Sequence, residues 1–505
     1  MAEDVSSTTA ARDEEILQTF GYRQQLRRSL KPLAVLGISF SFMSITTSVY
    51  VNFGFGLGKF GTASIWFWPL VLLGQLFVAF VIAELGSRIP LAGYSYQWGS
   101  RLINPGYGWF IAIFVFVYLL TCVATISYVL VAPFLGVIFG WTLSNVDLLL
   151  IAIATVIVLT LVNLVGVRLF ARVNNVAVFC EIVSTLVIAL IVAIAALAKP
   201  ASHTVSLFNT NGVHGSAVWG AVVGAMVMGF FALTGFEAAA DMSEESVGAR
   251  RAVPRAVIWS LVGTGLFGMI ALICFASAVP TGHMAAVAGS YTPVYDVVAY
   301  WLGNAGARVA LVFPLVAVLG TCLSVVAVMG RLVFALSRDN VIPFSRQLRS
   351  VNGTSQVPAT ALVVGAVLAI LMLVYAYYQV STFDVLVGAT SILPFVYYLL
   401  IVVAYAVKRR ELEAFHVPGM FTLGKWSKVV FGISFVWLIA ALLMLTLQPM
   451  FHQADIAVAG TFGVGVVWYV AALHWRLKSG TAGVPGAVSD ADPKVLEPEP
   501  SESGV

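Results

Sequence analysis

Charge is scarce in this chain. Of 505 residues only 10% are Asp, Glu, Lys or Arg, where a soluble globular chain carries about a quarter. That shortage excludes an ordinary soluble enzyme, a nucleic-acid binder and a disordered scaffold. Cysteine is also rare. Cys122, Cys180, Cys274 and Cys322 all lie in apolar stretches, with no CxxC pair and no disulfide framework. The six histidines fall outside the middles of the apolar runs, and none pairs with another at ligand spacing. A membrane di-iron oxidase, a bis-histidine cytochrome and an HExxH protease are therefore not indicated. No GxxxxGK[ST] loop is present, so a primary pump is set aside. Nothing calls for a cofactor, a metal or a nucleic-acid partner.

What the chain has in abundance is apolar length. Hydrophobic residues make up 60% of it, and the mean hydropathy is +0.96. A helical crossing of a bilayer takes about 20 apolar residues. Twelve apolar runs are found near 33–57, 62–85, 108–138, 146–166, 173–198, 217–242, 255–279, 304–336, 358–379, 383–407, 427–448 and 456–476. The expectation is an all-α polytopic membrane protein with twelve transmembrane helices occupying 33–477. Residues 1–32 form a cytoplasmic N-terminal tail in which Asp13 to Lys31 reads as a short basic helix on the membrane surface. There is no signal-peptide pattern near Met1. Residues 478–505 are rich in Pro, Gly, Ser and acid and read as a disordered cytoplasmic tail.

The basic residues set an orientation. With the N-terminus cytoplasmic, all but Lys59, Lys199 and Arg308 of the 27 Lys and Arg residues fall on the cytoplasmic side. This asymmetry supports the even span count and a multi-pass placement in the plasma membrane.

Polar residues inside the apolar runs carry the functional information, because an ionisable group at bilayer depth is expensive unless paired, neutral or facing water. Glu181 in the fifth run and Glu237 in the sixth qualify. Glu84, Asp241, Glu244 and Glu245 lie at cytoplasmic ends and read as solvated or paired with arginine. Arg331, Arg338 and Asp339 read as a cytoplasmic salt-linked network. Two runs also carry signs of a break. The sixth has Thr234-Gly235 just before Phe236-Glu237. The first reads Ser39-Phe-Ser-Phe-Met-Ser-Ile-Thr-Thr-Ser48, whose hydroxyls compete for backbone hydrogen bonds. Interrupted helices at matching positions of two halves point to a transporter's midplane site. Runs 1 and 6 each open a group of five, which suggests a five-plus-five inverted repeat with two extra helices.

Three segments resemble the amino acid–polyamine–organocation superfamily of permeases. They are Ile82-Ala-Glu-Leu-Gly-Ser-Arg-Ile-Pro-Leu-Ala-Gly-Tyr-Ser-Tyr-Gln-Trp98, Phe230-Phe-Ala-Leu-Thr-Gly-Phe-Glu-Ala-Ala-Ala-Asp-Met-Ser-Glu-Glu-Ser246 with its continuation to Arg255, and Arg331-Leu-Val-Phe-Ala-Leu-Ser-Arg-Asp-Asn-Val-Ile-Pro343. Phe20-Gly-Tyr-Arg-Gln-Gln-Leu-Arg-Arg28 is similar to the start of the amino acid/choline transporter branch. The resemblance runs from about residue 19 to 477. It implies helices 1 and 6 broken at the substrate site, a substrate carboxylate on amides of Ser44, Ile45, Thr46 and Thr47, and an ammonium on carbonyls between Phe231 and Thr234, close to Gly235 and Phe236. It makes Phe231 the aromatic lid. Glu237 aligns with an acid some members use in proton sensing. Glu181 stands where some proton-coupled members place a lysine, next to the sodium position of sodium-coupled relatives, so it would carry a proton in place of either cation.

Each of these residues has a plainer reading. Glu181 would be a satisfied core acid with Ser184 and Thr185 on its face. Glu237 would hold the broken helix together. Tyr118 lines the pocket or is aromatic core. The function expected is a secondary transporter importing an amino acid or related small amine, with protons as the coupling ion. An exchanger, or a choline or polyamine permease, is the alternative. A major-facilitator-type carrier is set aside because Leu85-Gly-Ser-Arg-Ile-Pro90 is not its loop, and a membrane enzyme because no nucleophile or metal cluster appears.

Overall fold

The computed structural model describes residues 13–199, 203–353, 355–379, 382–414, 420–447 and 452–483. Residues 1–12 and the part of the expected C-terminal tail beyond 483 lie outside the described residues. The chain folds into helices α1 (Pro32–Met43), α2 (Ile45–Phe60), α3 (Trp68–Arg88), α4 (Tyr94–Leu102), α5 (Pro105–Phe139), α6 (Asn145–Val165), α7 (Val167–Leu197), α8 (Ala217–Ala232) and α9 (Ala238–Asp241). It continues with α10 (Ala249–Ser277), α11 (Met284–Ala288), α12 (Pro293–Arg338), α13 (Ser345–Leu348), α14 (Ala359–Tyr377), α15 (Thr382–Ala414), α16 (Ser427–Thr446) and α17 (His452–Trp468). Among the described residues there are isolated β-bridges, Leu30 with Ser246 and Thr204 with Pro280, and no strand.

Among the described residues ten helical stretches are long and apolar enough to cross a membrane. One of them, Pro32–Arg88, is 57 residues long. At 1.5 Å per residue it is far longer than the roughly 30 Å of a hydrocarbon core. It is interrupted at Ser44 and by a 3₁₀ turn at Gly61–Phe67. Local chemistry fixes the ends of the others. Asn104 accepts from the Tyr107 amide (2.9 Å) ahead of Pro105 at the start of α5. Ser144 and Asp147 form a capping box on α6. Gly140, at φ +69°, ends α5.

Several helices begin earlier than the apolar runs. α7 starts at Val167 and α10 at Ala249, ahead of the expected 173 and 255. Hydropathy reads apolar length, whereas the helix runs on through Arg168 and Arg172, or through Arg250, Arg251 and Arg255. In α12 the expected start at 304 coincides with a kink, since Gly303 sits at φ +71° between a short leading segment and the long one.

Packing places the two interrupted helices in the middle. Every residue of α9, and all of α2 except those near its C-terminal end, is buried. α1 and α3 pack on α10, α8 on α2, and α12 on α7. By contrast α6 exposes Leu150, Ile157, Val158 and Leu161, and α7 exposes Val176, Phe179, Leu190 and Ile194. Those faces suit lipid rather than water.

The basic surface helix expected over Asp13 to Lys31 is shorter, and it packs on protein. Only residues 13–19 are helical. The rest is a strap whose Tyr22, Leu26 and Leu30 are buried, as is Leu17 within the helix. The Ser29 and Leu30 amides donate to Glu245 O (both 2.9 Å), and Val247 N donates to Leu30 O (2.9 Å). Apolar side chains at Leu17, Tyr22, Leu26 and Leu30 give the strap a face to bury, which a solvated basic helix would lack.

Candidate functional site

The first break is confined to one residue. Ser44 takes φ +42° and ψ 102°, and the chain is helical on both sides of it. A β-carbon is disfavoured at positive φ, and Ser44 offsets this by capping. Its hydroxyl oxygen accepts from the Thr47 amide (3.0 Å) and from Thr47 Oγ1 (2.9 Å). Glu181 completes the N-terminus of α2. It is fully buried, and its Oε1 accepts from the Thr46 amide (3.3 Å). Thr46 Oγ1 pairs with Ser184 Oγ (2.9 Å). A carboxylate at a helix N-terminus meets unsatisfied amides and the positive end of the helix dipole. Of the amides expected to receive a substrate carboxylate, Ser44 N donates to Phe40 O (3.1 Å), Thr46 N to Glu181 and Thr47 N to Ser44. Glu181 Oε2 makes no hydrogen bond among the described residues.

Glu181 also sits at a change of helix type. Ser184 Oγ and Thr185 Oγ1 both donate to the Glu181 carbonyl (2.9 and 2.7 Å), just where α7 widens into a π turn over Val183–Ile188. Hydroxyls that bond back onto the preceding turn favour such a widening. A second π turn, Ile126–Val131, lies in α5, where Ser127 Oγ donates to Val123 O (2.6 Å).

The second break lies where Thr234-Gly235 suggested. α8 ends at Ala232, and the chain is non-helical until α9. The freed backbone is satisfied from α1 and α15. Ser39 Oγ donates to Phe236 O (3.0 Å) and accepts from Ala239 N (2.8 Å), while Gly235 N donates to Tyr398 Oη (3.0 Å). Thr234 Oγ1 donates to Phe231 O (3.1 Å), so one of the expected ammonium-binding carbonyls is already occupied. Gly235 needs to be glycine. Its φ is +91°, and a β-carbon there would lie 2.3 Å from Phe42 Cδ1.

Glu237 is gripped by phenols. Tyr397 Oη donates to its Oε1 (2.6 Å), Tyr398 Oη to its Oε2 (2.5 Å) and Tyr94 Oη to Oε1 (3.4 Å). It thereby ties the second break to α15 and α4. Tyr94, Tyr397 and Tyr398 are absent from the expected site. The one signal that pointed to them is the Tyr397-Tyr398 pair in the middle of an apolar run, two hydroxyls at bilayer depth that need partners.

The two breaks meet at a closed cavity of about 20 Å³, room for roughly one water molecule. Of the expected residues, Thr47, Tyr118, Phe231 and Thr234 line it. Ser44, Ile45, Thr46, Gly235 and Phe236 do not; they build the breaks behind it. Phe42 and Cys122 close one side, and Thr125, Thr321 and Thr390 contribute hydroxyls from α5, α12 and α15. No Asp, Glu, Lys or Arg is among the described residues lining it. Glu237 stands behind Tyr397, whose ring lies 5.7 Å from that of Tyr118.

A family model described as "Amino acid permease" matches residues 30–472. The chain belongs to the amino acid permease family. Curated relatives of this permease include the amino-acid permease BAT1 of Arabidopsis thaliana, 24% identical over 91% of this chain and 94% of the relative. The GABA-specific permease of Saccharomyces cerevisiae is 24% identical over 94% of this chain and 85% of its own length. Among solved structures, MhsT in complex with L-phenylalanine superposes with a TM-score of 0.60 at 17% identity, covering 84% of this chain and 99% of that one. The permease therefore shares the fold of that structure, and the relatives named are permeases, not enzymes.

The face that carries the strap is closed by a buried polar network. Arg331 pairs with Glu245 (2.5 Å) and Arg338 with Glu244 (2.8 Å), whose Oε1 also accepts from Ala92 N (3.0 Å). Glu84 pairs with Arg88 (2.7 Å), and Asp241 accepts from Gly93 N (2.7 Å). These acids are buried rather than solvated. Tyr22 of the strap donates to the Asp339 carboxylate (2.7 and 2.9 Å), and the Arg338 guanidinium lies 3.7 Å from the Tyr22 ring centre. Burial first, and the Asp339 charge second, push the Tyr22 phenol up, so it stays protonated and donates.

Proposed function

We propose that this permease is a secondary transporter that brings an amino acid or related small amine into the cell by alternating access, coupled to protons. In this reading it has twelve spans, five-plus-five in inverted repeat with two more. It lies in the plasma membrane with both termini cytoplasmic. The observation that carries the reading is the meeting of two interrupted helices at one closed cavity lined by Thr47, Tyr118, Phe231 and Thr234. Non-helical backbone at membrane depth is tolerated where it borders a site or is enclosed by protein.

The lining favours a small neutral zwitterion such as γ-aminobutyrate or an aliphatic amino acid. It offers hydroxyls and aromatic faces. A polyamine would bring several positive charges to walls without a carboxylate. Glu181 is the proton carrier in this reading, because its charge grips the Thr46 amide on the α2 side of the Ser44 break. Protonation removes that charge and loosens the grip, so proton binding and movement of α2 become one event. The three phenols on Glu237 favour its holding role over proton sensing.

The test is uptake into proteoliposomes from a panel of amino acids, γ-aminobutyrate, choline and putrescine. Sodium is omitted, and the assay is run with and without an inward proton gradient. Accumulation of one zwitterion only with the gradient, abolished in Glu181→Gln while binding persists, is the expected result. Uptake that ignores the gradient but needs a preloaded amine would make the protein an exchanger and Glu181 a structural acid.

A further inference from the structure

A second, far larger cavity stands apart from the closed one. A cavity of about 820 Å³ opens at the far end of α5, between the ends of α5, α6, α12 and α14. It is within the size range of small-molecule sites. It lies on the face opposite the strap. α5 begins beside the strap, where Arg101 donates to Phe20 O (3.1 Å), and its 35 residues carry it about 50 Å across.

The two cavities are stacked along α5. Cys122, Thr125 and Ile126 line the closed one, and Tyr128, Val129 and Pro133 line the open one. Their nearest lining residues on this helix, Ile126 and Tyr128, are two positions apart, within the π turn Ile126–Val131.

The open cavity has one cationic wall. Arg308 lines it, with its guanidinium against Gly140, where a β-carbon would lie 3.4 Å from both Nη atoms. Among the described residues Arg308 makes no ion pair, hydrogen bond or ring contact. The nearby Asp147 is already engaged by the Ser144 amide (2.8 Å) and hydroxyl (2.7 Å). Tyr128, Tyr291, Tyr377 and Trp141 line the same cavity, with Tyr128 near both Tyr291 and Tyr377, and Arg308, Tyr291 and Trp141 are exposed to the solvent it admits. An unpartnered guanidinium beside aromatic faces suits a planar anion carried on an apolar body.

We propose that this outer cavity is a second ligand site for a small carboxylate, its carboxylate on Arg308 and its body among Tyr128, Tyr291 and Tyr377. That the natural ligand is the cargo amino acid on its way to the inner cavity rests on the reading above; that the site takes a carboxylate does not. A lipid phosphate shares the same anionic chemistry, and the experiment separates the two.

The probe is benzoate, a carboxylate without an ammonium, titrated by calorimetry against the full-length protein in phosphatidylcholine nanodiscs. Saturable binding is expected. Arg308→Gln should weaken it about tenfold or more, as for loss of a charge-assisted pair. Arg308→Lys should retain part of the affinity, and Thr234→Val, in the inner cavity, should leave it unchanged. No benzoate binding, or equal binding by Arg308→Gln, overturns the proposal. Nanodiscs containing phosphatidylglycerol form the second arm. If they abolish benzoate binding to the wild type, the occupant is a lipid phosphate and the free-carboxylate assignment is overturned. Proteoliposome uptake by the same samples reports separately on the transport reading, since benzoate binding requires no cargo movement.

Discussion

Gly235→Ala tests the contact between the two broken helices. The added methyl meets two penalties. The backbone there is at φ +91°, a conformation that costs an L-residue roughly 1–2 kcal/mol. The new β-carbon would also sit 2.3 Å from Phe42 Cδ1 and 2.6 Å from Cε1, against an optimal separation of about 3.5–4.0 Å. Overpacking of this kind costs roughly 1–3 kcal/mol. Together the two amount to roughly 2–5 kcal/mol, a large share of a typical stability of about 5–15 kcal/mol. Phe42 can yield only towards the cavity. It lines the closed cavity, with its ring 6.5 Å from that of Tyr118. The displaced ring moves into the space proposed for cargo, so uptake in proteoliposomes should fall at least about tenfold. The melting temperature of the purified protein should drop by several degrees. Phe42→Leu supplies the control. In the Gly235→Ala background it should recover part of the stability, giving a positive coupling in the double-mutant cycle. Wild-type stability and uptake in Gly235→Ala would refute the argument, and so would a cycle with no coupling to Phe42.

Other residues allow direct tests. Tyr397→Phe and Tyr398→Phe each remove a donor from buried Glu237 and should cost about 1–3 kcal/mol; Tyr398→Phe should cost more because that hydroxyl also accepts from Gly235 N. Melting curves in which both variants match the wild type would remove Glu237 from its holding role. Glu244→Ala strands the Arg338 guanidinium in a buried site and should cost about 3–5 kcal/mol. Glu244→Ala with Arg338→Met should be less damaging than Glu244→Ala alone, and the reverse order would count against a buried pair. Cys122 lines the closed cavity, whereas Cys180, Cys274 and Cys322 do not. With those three replaced by alanine, alkylation of Cys122 should be slowed by the transported amino acid; a rate indifferent to cargo would place the cargo elsewhere. Tyr22→Phe removes the donor to Asp339 and should increase hydrogen exchange in residues 17–30, and an unchanged exchange pattern would mean the strap is held by its apolar face and backbone bonds alone.

The parts of the fold that were legible in the sequence are those encoded by local chemistry. Apolar length gave the helices, and Thr234-Gly235 gave the second break, because glycine is what a positive φ beside Phe42 requires. The first break was legible only as a ten-residue stretch. Without a glycine, nothing distinguishes Ser44 from its hydroxyl-bearing neighbours until Glu181 is seen to accept from the Thr46 amide, 135 residues earlier in the chain. Long-range contacts of that kind leave no spacing to read. The strap was misread for a related reason: its basic residues are conspicuous in the sequence, but the apolar side chains between them decide where it packs.

The arginines make the same point about charge. Arg88, Arg331 and Arg338 add to the basic excess on which the expected orientation rests, yet each is buried and paired with Glu84, Glu245 or Glu244. A count of basic residues treats them as equal to the exposed Arg251 and Arg255. The excess survives their removal, so the expected orientation does not depend on them. Buried pairs contribute little net stability relative to apolar packing, but each demands its partner in one place. Two of them join the segment after α9 to α12 and, through Tyr22 on Arg338 and Asp339, to the strap, while the Glu84–Arg88 pair lies within α3. In the alternating-access reading, opening this face requires the Arg331–Glu245 and Arg338–Glu244 pairs to separate into water or to exchange partners.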